Sequence, residues 1–303
     1  SSNMTEAVTY LNGSWNAFSK TQIPINDLGF IHGITVAEQV RTFSGRPGFL
    51  EAHCNRFLTG LRRLDINLPE RNDLSAIILD LADRNYPLID PKLDLGICFF
   101  ATPGTSSRFG PTNYQRPTFC VHSYLLPFAQ LAEIYKDGQS LHISTHHEVP
   151  STCWPRDIKV RSRLHYYLAE QEIRQRHPSS SAILTDPAGH FRETATATPI
   201  FVMGDGQLVV PPTSEILHSV SLDLTLNLAA ENNLIVVRRE IHLSELPTIR
   251  SMFLVSTPFC ICDVSSLNDH PFLRESNELR LLRKAWSTSV DLDFVSQSLD
   301  ATC

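Results

Sequence analysis

The chain has 303 residues, 42% of them hydrophobic and 19% charged, with a formal net charge of −6. That balance excludes a disordered chain, which needs low hydrophobicity and high net charge. The scattered basic residues give no basic stripe for nucleic acid, and no run of 18 apolar residues could span a membrane. The opening SSNMTEAVTY shows neither the charged nor the apolar region of a secretory signal. Seven cysteines at irregular spacing form no zinc-ligand pattern and read as buried thiols of a reducing cytoplasm. His146-His147 has no third ligand suitably spaced, so no metal site is expected. Only five of the 26 basic residues are lysines, which leaves few candidates for covalent lysine chemistry.

In chain order, Asn12-Gly13 between short apolar runs predicts a β-hairpin. A strand is predicted over 37–43, then a helix over 51–65 with Phe57, Leu58, Leu61 and Leu64 at helical spacing. A second helix should bury Leu74, Ile77, Ile78 and Leu81. Buried strands follow at 95–102 and 118–125. Pro127, mixed polarity and Asp137-Gly138 suggest a linker over 124–137. The implied organisation is a small first domain, 4–123, and a larger second domain, 138–290. In the second domain we expect a strand near 140–145, a helix over 162–176 and a strand over 182–185. A hairpin about Gly204-Asp205-Gly206 comes next, then a helix over 222–232, strands at 234–238 and 252–256, and a helix over 276–287. Strands and helices mix without strict βαβ alternation, which predicts an α/β fold of the α+β type in two domains.

Three segments stand out together: Asp157-Ile158-Lys159-Val160-Arg161-Ser162-Arg163, Arg192-Glu193-Thr194 running to Phe201, and Leu217-His218-Ser219-Val220-Ser221 before a helix. With Asp27-Leu28-Gly29-Phe30-Ile31-His32-Gly33, His53-x-x-Arg56 and Phe253-Leu254-Val255-Ser256-Thr257, their order and spacing resemble the class IV aminotransferases. These are the fold-type IV pyridoxal 5'-phosphate enzymes, which include branched-chain and D-amino-acid aminotransferases and aminodeoxychorismate lyase. The resemblance runs from about residue 8 to 287. It implies two domains with a cofactor cleft between them, and a homodimer.

The resemblance also assigns roles. Lys159 matches the lysine that holds the cofactor as an aldimine and shuttles a proton. Glu193 matches the carboxylate that keeps the pyridine nitrogen protonated. Arg56 matches a guanidinium on the phosphate, Val220 and Ser221 the amides of a helix N-terminus, and Thr257 a neighbouring position. Ala37 stands where relatives carry an aromatic that lines the substrate pocket. Pro258 stands where they use a backbone N–H, which proline lacks. Arg108, in Thr102-Pro103-Gly104-Thr105-Ser106-Ser107-Arg108, matches a loop arginine that reads the substrate carboxylate, with Arg161, Arg163 and Arg41 next in line. The usual Gly-Ile-Thr-Arg turn is Ser219-Val220-Ser221-Leu222 here, so Ser219 is strained if that position needs positive φ. On a helix from 162, Arg163 and Tyr167 share one face, and Ser162 and Tyr166 another.

The expected function is amino-group transfer between an amino acid, of the branched-chain or D type, and a 2-oxo acid. The alternatives are a lyase that releases pyruvate and an inactive homologue acting as a binding protein.

Overall fold

The computed structural model describes residues 6–68, 73–110 and 117–302. They fall into two compact units. One runs to Leu126 and includes Asp157–Ser162; the other comprises Pro127–Arg156 and the chain from Arg163 onward.

The first unit is built on a six-stranded, wholly antiparallel sheet. The predicted hairpin pairs Val8–Leu11 with Ser14–Ala17, and Asn12 (φ 48°) and Gly13 (φ 90°) form the left-handed turn that an Asn-Gly pair favours. Strands Val36–Phe43, Leu95–Thr102 and Thr118–Leu125 lie side by side. Helices Leu50–Arg63 and Leu74–Asn85 cover one face of the sheet. Each helix buries its predicted apolar spacing: Phe57 and Leu61 from the first, and Leu74, Ile77, Ile78 and Leu81 from the second, in a core with Val36, Val40, Ile97 and Phe99.

The second unit carries a nine-stranded sheet of mixed direction, with the parallel strands Gln139–His147 and Ser180–Thr185 joined through helix Leu164–Arg176. The predicted 204–206 hairpin joins Thr198–Met203 to Leu208–Val210, and Val236–Arg238 adds in parallel. Strands Ile249–Ser256 and Cys260–Leu267 form a further hairpin.

Three expectations are corrected. The stretch 124–137 is no linker, because after Leu125 the chain enters a helix, Phe128–Asp137, that buries Phe128, Leu131, Ala132 and Tyr135. Pro127 ends nothing; it sits at the helix N-cap, just outside the positions where a proline would break the ladder. Second, Asp157–Ser162 groups with the first unit although it follows the start of the second in sequence. Third, ordered chain continues past 290 as helix Phe294–Asp300, whose Phe294 ring packs 5.9 Å from Tyr135.

Candidate active site

In the first unit, Ile158-Lys159-Val160-Arg161 runs antiparallel along the edge of Val36–Phe43. Val160 bridges to Val36, the Ala37 amide donates to the Lys159 carbonyl at 2.8 Å, and the Arg161 amide donates to the Thr35 carbonyl at 3.1 Å. Alternation then divides the four side chains. Ile158 and Val160 join the helix-covered core, while Lys159 and Arg161 project to the other face. The Ser162 hydroxyl closes the segment by donating to the Gly33 carbonyl at 2.9 Å, where Gly33 takes φ +68°.

Beneath helix Leu50–Arg63 the motif residues His53 and Arg56 close on a buried carboxylate, Glu38. Glu38 is fully buried; it accepts from Arg56 Nε at 2.7 Å, again from Arg56 Nη2, and pairs with His53 Nδ1 at 2.8 Å. Burial opposes its charge. The Arg56 and Lys159 cations with the His53 hydrogen bond outweigh that and hold its carboxyl well below the usual carboxylate range. Burial lowers the His53 imidazole in turn.

Ala37 is buried beside Phe100 and Cys120. Arg108 lies exposed on a short 3-10 turn, Ser107–Phe109, with its guanidinium 5.2 Å from the Phe109 ring. Arg41 is buried, 3.7 Å from Asp94 and stacked over Phe43.

In the second unit Glu193 lies on strand Phe191–Thr194. Its carboxylate accepts from the Thr198 hydroxyl at 2.8 Å and from the Leu217 amide at 3.4 Å. Burial, with the nearby Glu148 carboxylate adding to it, pushes its pKa up to about 7 against those bonds. Glu148 is a second hub, one that the motifs did not signal. It bonds to His165 Nε2 at 2.9 Å, accepts the buried Tyr166 hydroxyl, and lies 3.7 Å from Arg156. Helix Leu164–Arg176 starts two residues later than expected; Arg163 stands at its N-cap, stacks over Tyr166 and donates to the Ala195 carbonyl, while Tyr167 is exposed.

Helix Val220–Glu231 begins at Ser219, whose hydroxyl accepts the Leu222 amide at 3.1 Å. Ser219 has φ −81°, so the expected strain is absent: the residue is an extended N-cap, a position serine favours. The Val220 and Ser221 amides and the Ser221 hydroxyl have no acceptor or donor partner among the described residues. Thr257 and Pro258 occupy the turn between Ile249–Ser256 and Cys260–Leu267, which closes with Cys260 at φ +63°.

Each unit by itself carries groups that fit part of a phosphorylated, aldehyde-bearing cofactor. In the second unit, two amides and a hydroxyl at the N-terminus of a twelve-residue helix can take an anion, and the Glu193 carboxyl of raised pKa can face a ring nitrogen. In the first unit, a lysine held by main-chain bonds against a strand can take a carbonyl carbon.

The model of the amino-transferase class IV family matches residues 35–267. The chain belongs to that family of pyridoxal-phosphate enzymes. It is 24% identical over 252 residues to a putative branched-chain-amino-acid aminotransferase of Methanocaldococcus jannaschii, covering 82% of this chain and 83% of the other. Its fold is similar to that of the branched-chain amino acid aminotransferase of Escherichia coli, with a TM-score of 0.83 at 18% identity over 97% and 96% of the two chains. It is also similar to an aminotransferase of Brucella abortus bound to its cofactor PLP, with a TM-score of 0.80 at 17% identity over 94% and 99%.

Proposed function

We propose that this aminotransferase moves an amino group between an amino acid and a 2-oxo acid, with pyridoxal phosphate carried on Lys159. The observation that carries the reading is the fixing of Lys159 by main-chain bonds on either side of Val160, which sets its side chain on the sheet face away from the helices. When bound, the cofactor supplies an electron sink for the substrate's α-carbon. Lys159 holds it covalently and moves a proton to and from that carbon. Glu193 holds a proton at the ring nitrogen. Arg56, the Val220 and Ser221 amides and the Ser221 hydroxyl bind the phosphate, with Thr257 beside them. Glu38 keeps Arg56 extended from its helix by two hydrogen bonds. Ala37 leaves a small floor to the substrate pocket, and Pro258 withholds an amide there.

The working form is proposed to be a cytoplasmic homodimer. Ile25, Phe30 and Phe109 are exposed on two adjoining segments, 25–31 and 107–109, near the Asp27–Thr105 bridge, and apolar groups so placed favour a protein partner. The described cysteines are free thiols, in keeping with a reducing compartment. No helix of the described residues is long and apolar enough to cross a membrane.

The test is an amino-donor panel, L and D, with pyruvate and 2-oxoglutarate as acceptors. Ping-pong exchange supports the transferase. Pyruvate release without an acceptor marks a lyase, and cofactor binding without turnover marks a binding protein.

A further inference from the structure

Four arginines compete for the role of reading the substrate's carboxylate, and their surroundings separate them. Arg41 is paired with Asp94, and Arg163 is committed to the Ala195 carbonyl and the Tyr166 ring. Arg108 and Arg161 have no acidic partner among the described residues. Arg161 shares the lysine's own edge segment. The two are separated by Val160 alone, both on the sheet face away from the helices, about 6.6 Å apart along the strand at the usual rise per residue.

The floor under Arg161 is mainly apolar, with the His122 imidazole at its side, 6.3 Å from the Phe100 ring. Ala37 lies opposite Lys159 on one side and opposite Phe100 on the other, and Phe100 lies opposite Cys120. All three are buried. The Arg161 side chain is exposed, and its guanidinium turns back over this row, 4.6 Å from the Phe100 ring centroid. Ala37, the smallest side chain in the row, leaves that path clear. The nearby thiols offer no counter-charge, because burial pushes Cys120 up to about 12 and raises Cys98 too. A planar cation stacked on an aromatic ring, over a buried apolar floor and without an anion, is arranged to take one bidentately. In an amino acid the carboxylate is bonded directly to the carbon at which Lys159 acts.

We propose that Arg161 binds the α-carboxylate of the amino-acid and 2-oxo-acid substrates, and so makes this enzyme select them over simple amines. This rests on the proposed transamination by way of Lys159.

The test compares cofactor-loaded wild type with Arg161→Gln, Arg161→Lys and Arg108→Ala. The first readout is equilibrium binding, by calorimetry, of the unreactive pair 4-methylpentanoic acid and 4-methylpentanamide. Wild type should prefer the acid by tenfold or more, Arg161→Gln should erase the preference, and Arg161→Lys should keep part of it. The second readout is kinetic. Arg161→Gln should raise KM for amino donor and oxo-acid acceptor by about 10- to 100-fold, the loss expected for a charge-assisted pair. Its rate with a primary amine that lacks the carboxylate should stay within twofold. Absorbance should show the cofactor bound as tightly as in wild type.

The proposal is overturned if wild type does not prefer the acid, if Arg161→Gln keeps its KM values within twofold while Arg108→Ala loses them, or if Arg161→Gln loses cofactor instead of substrate. A wild type that binds cofactor but transfers no amino group would bring down the underlying reading of function, and the calorimetric comparison would still score Arg161.

Discussion

The carbonyl of Lys159 accepts the amide hydrogen of Ala37, and their side chains consequently stand together on one face of the antiparallel sheet. Period-two alternation along 158–161 puts the lysine and Arg161 on that face, sends Ile158 into the core and packs Val160 against it. Replacing Val160 with Asp should therefore place a charge beside Val36 and destabilise the first unit by several kcal/mol. Denaturant unfolding measures it, and a change under 1 kcal/mol would show that Val160 does not face the core.

Glu38 is the buried anion between Arg56 and His53. Glu38→Gln leaves those groups without it and should cost about 3–5 kcal/mol in urea unfolding. The carboxyl is held below its ordinary 4.5, so its contribution is complete above that value and fades as pH falls toward the lower folded value. Wild type should lose its advantage over Glu38→Gln on acidification below about pH 4.5. A constant difference across that range would contradict the buried ion pair.

Glu193 behaves with the opposite sign. Its folded pKa is near 7, against 4.5 in the unfolded chain, so the folded state binds the extra proton between those values. In the cofactor-free protein this contribution is full below about pH 4.5 and is lost as pH rises to about 7, by about 3 kcal/mol. Glu193→Gln should abolish that slope. In the loaded enzyme the same change should cut turnover by at least about a hundredfold with cofactor retained. Near-normal turnover would show that another group protonates the ring.

The start of helix Val220–Glu231 separates capping from anion binding. Ser219→Ala removes the cap and should cost about 1 kcal/mol of stability. Val220→Pro removes one amide at a position where proline is well tolerated, so stability should hold while the affinity of the cofactor-free protein for pyridoxal phosphate falls several-fold. Unchanged affinity in Val220→Pro would remove that amide from the phosphate site.

The local parts of this structure were legible in the sequence. Asn12-Gly13 announced its hairpin, and the apolar spacing of the 74–85 helix survived intact because near neighbours set both. The helix at 128–137 was obscured by Pro127, which marks a helix start as readily as a break. The residues that organise the site were the hardest to read. Glu38 and Arg56 are 18 residues apart, and Glu148 and His165 17 apart, so only the folded chain shows that each carboxylate is buried against its partner. Arg161 was one of four candidate arginines by sequence. Period-two alternation around Lys159 was present in the letters, but no flanking strand signal said that the segment would lie along a sheet edge.

Under the proposed function Lys159 carries the cofactor. Protein reconstituted with pyridoxal phosphate should absorb in the visible, and borohydride should fix one cofactor per chain. Peptide mass spectrometry should then find the reduced adduct on Lys159 and leave Lys20, Lys92, Lys136 and Lys284 unlabelled. An adduct on any of those four with Lys159 unmodified, or no adduct after reconstitution, would contradict the account.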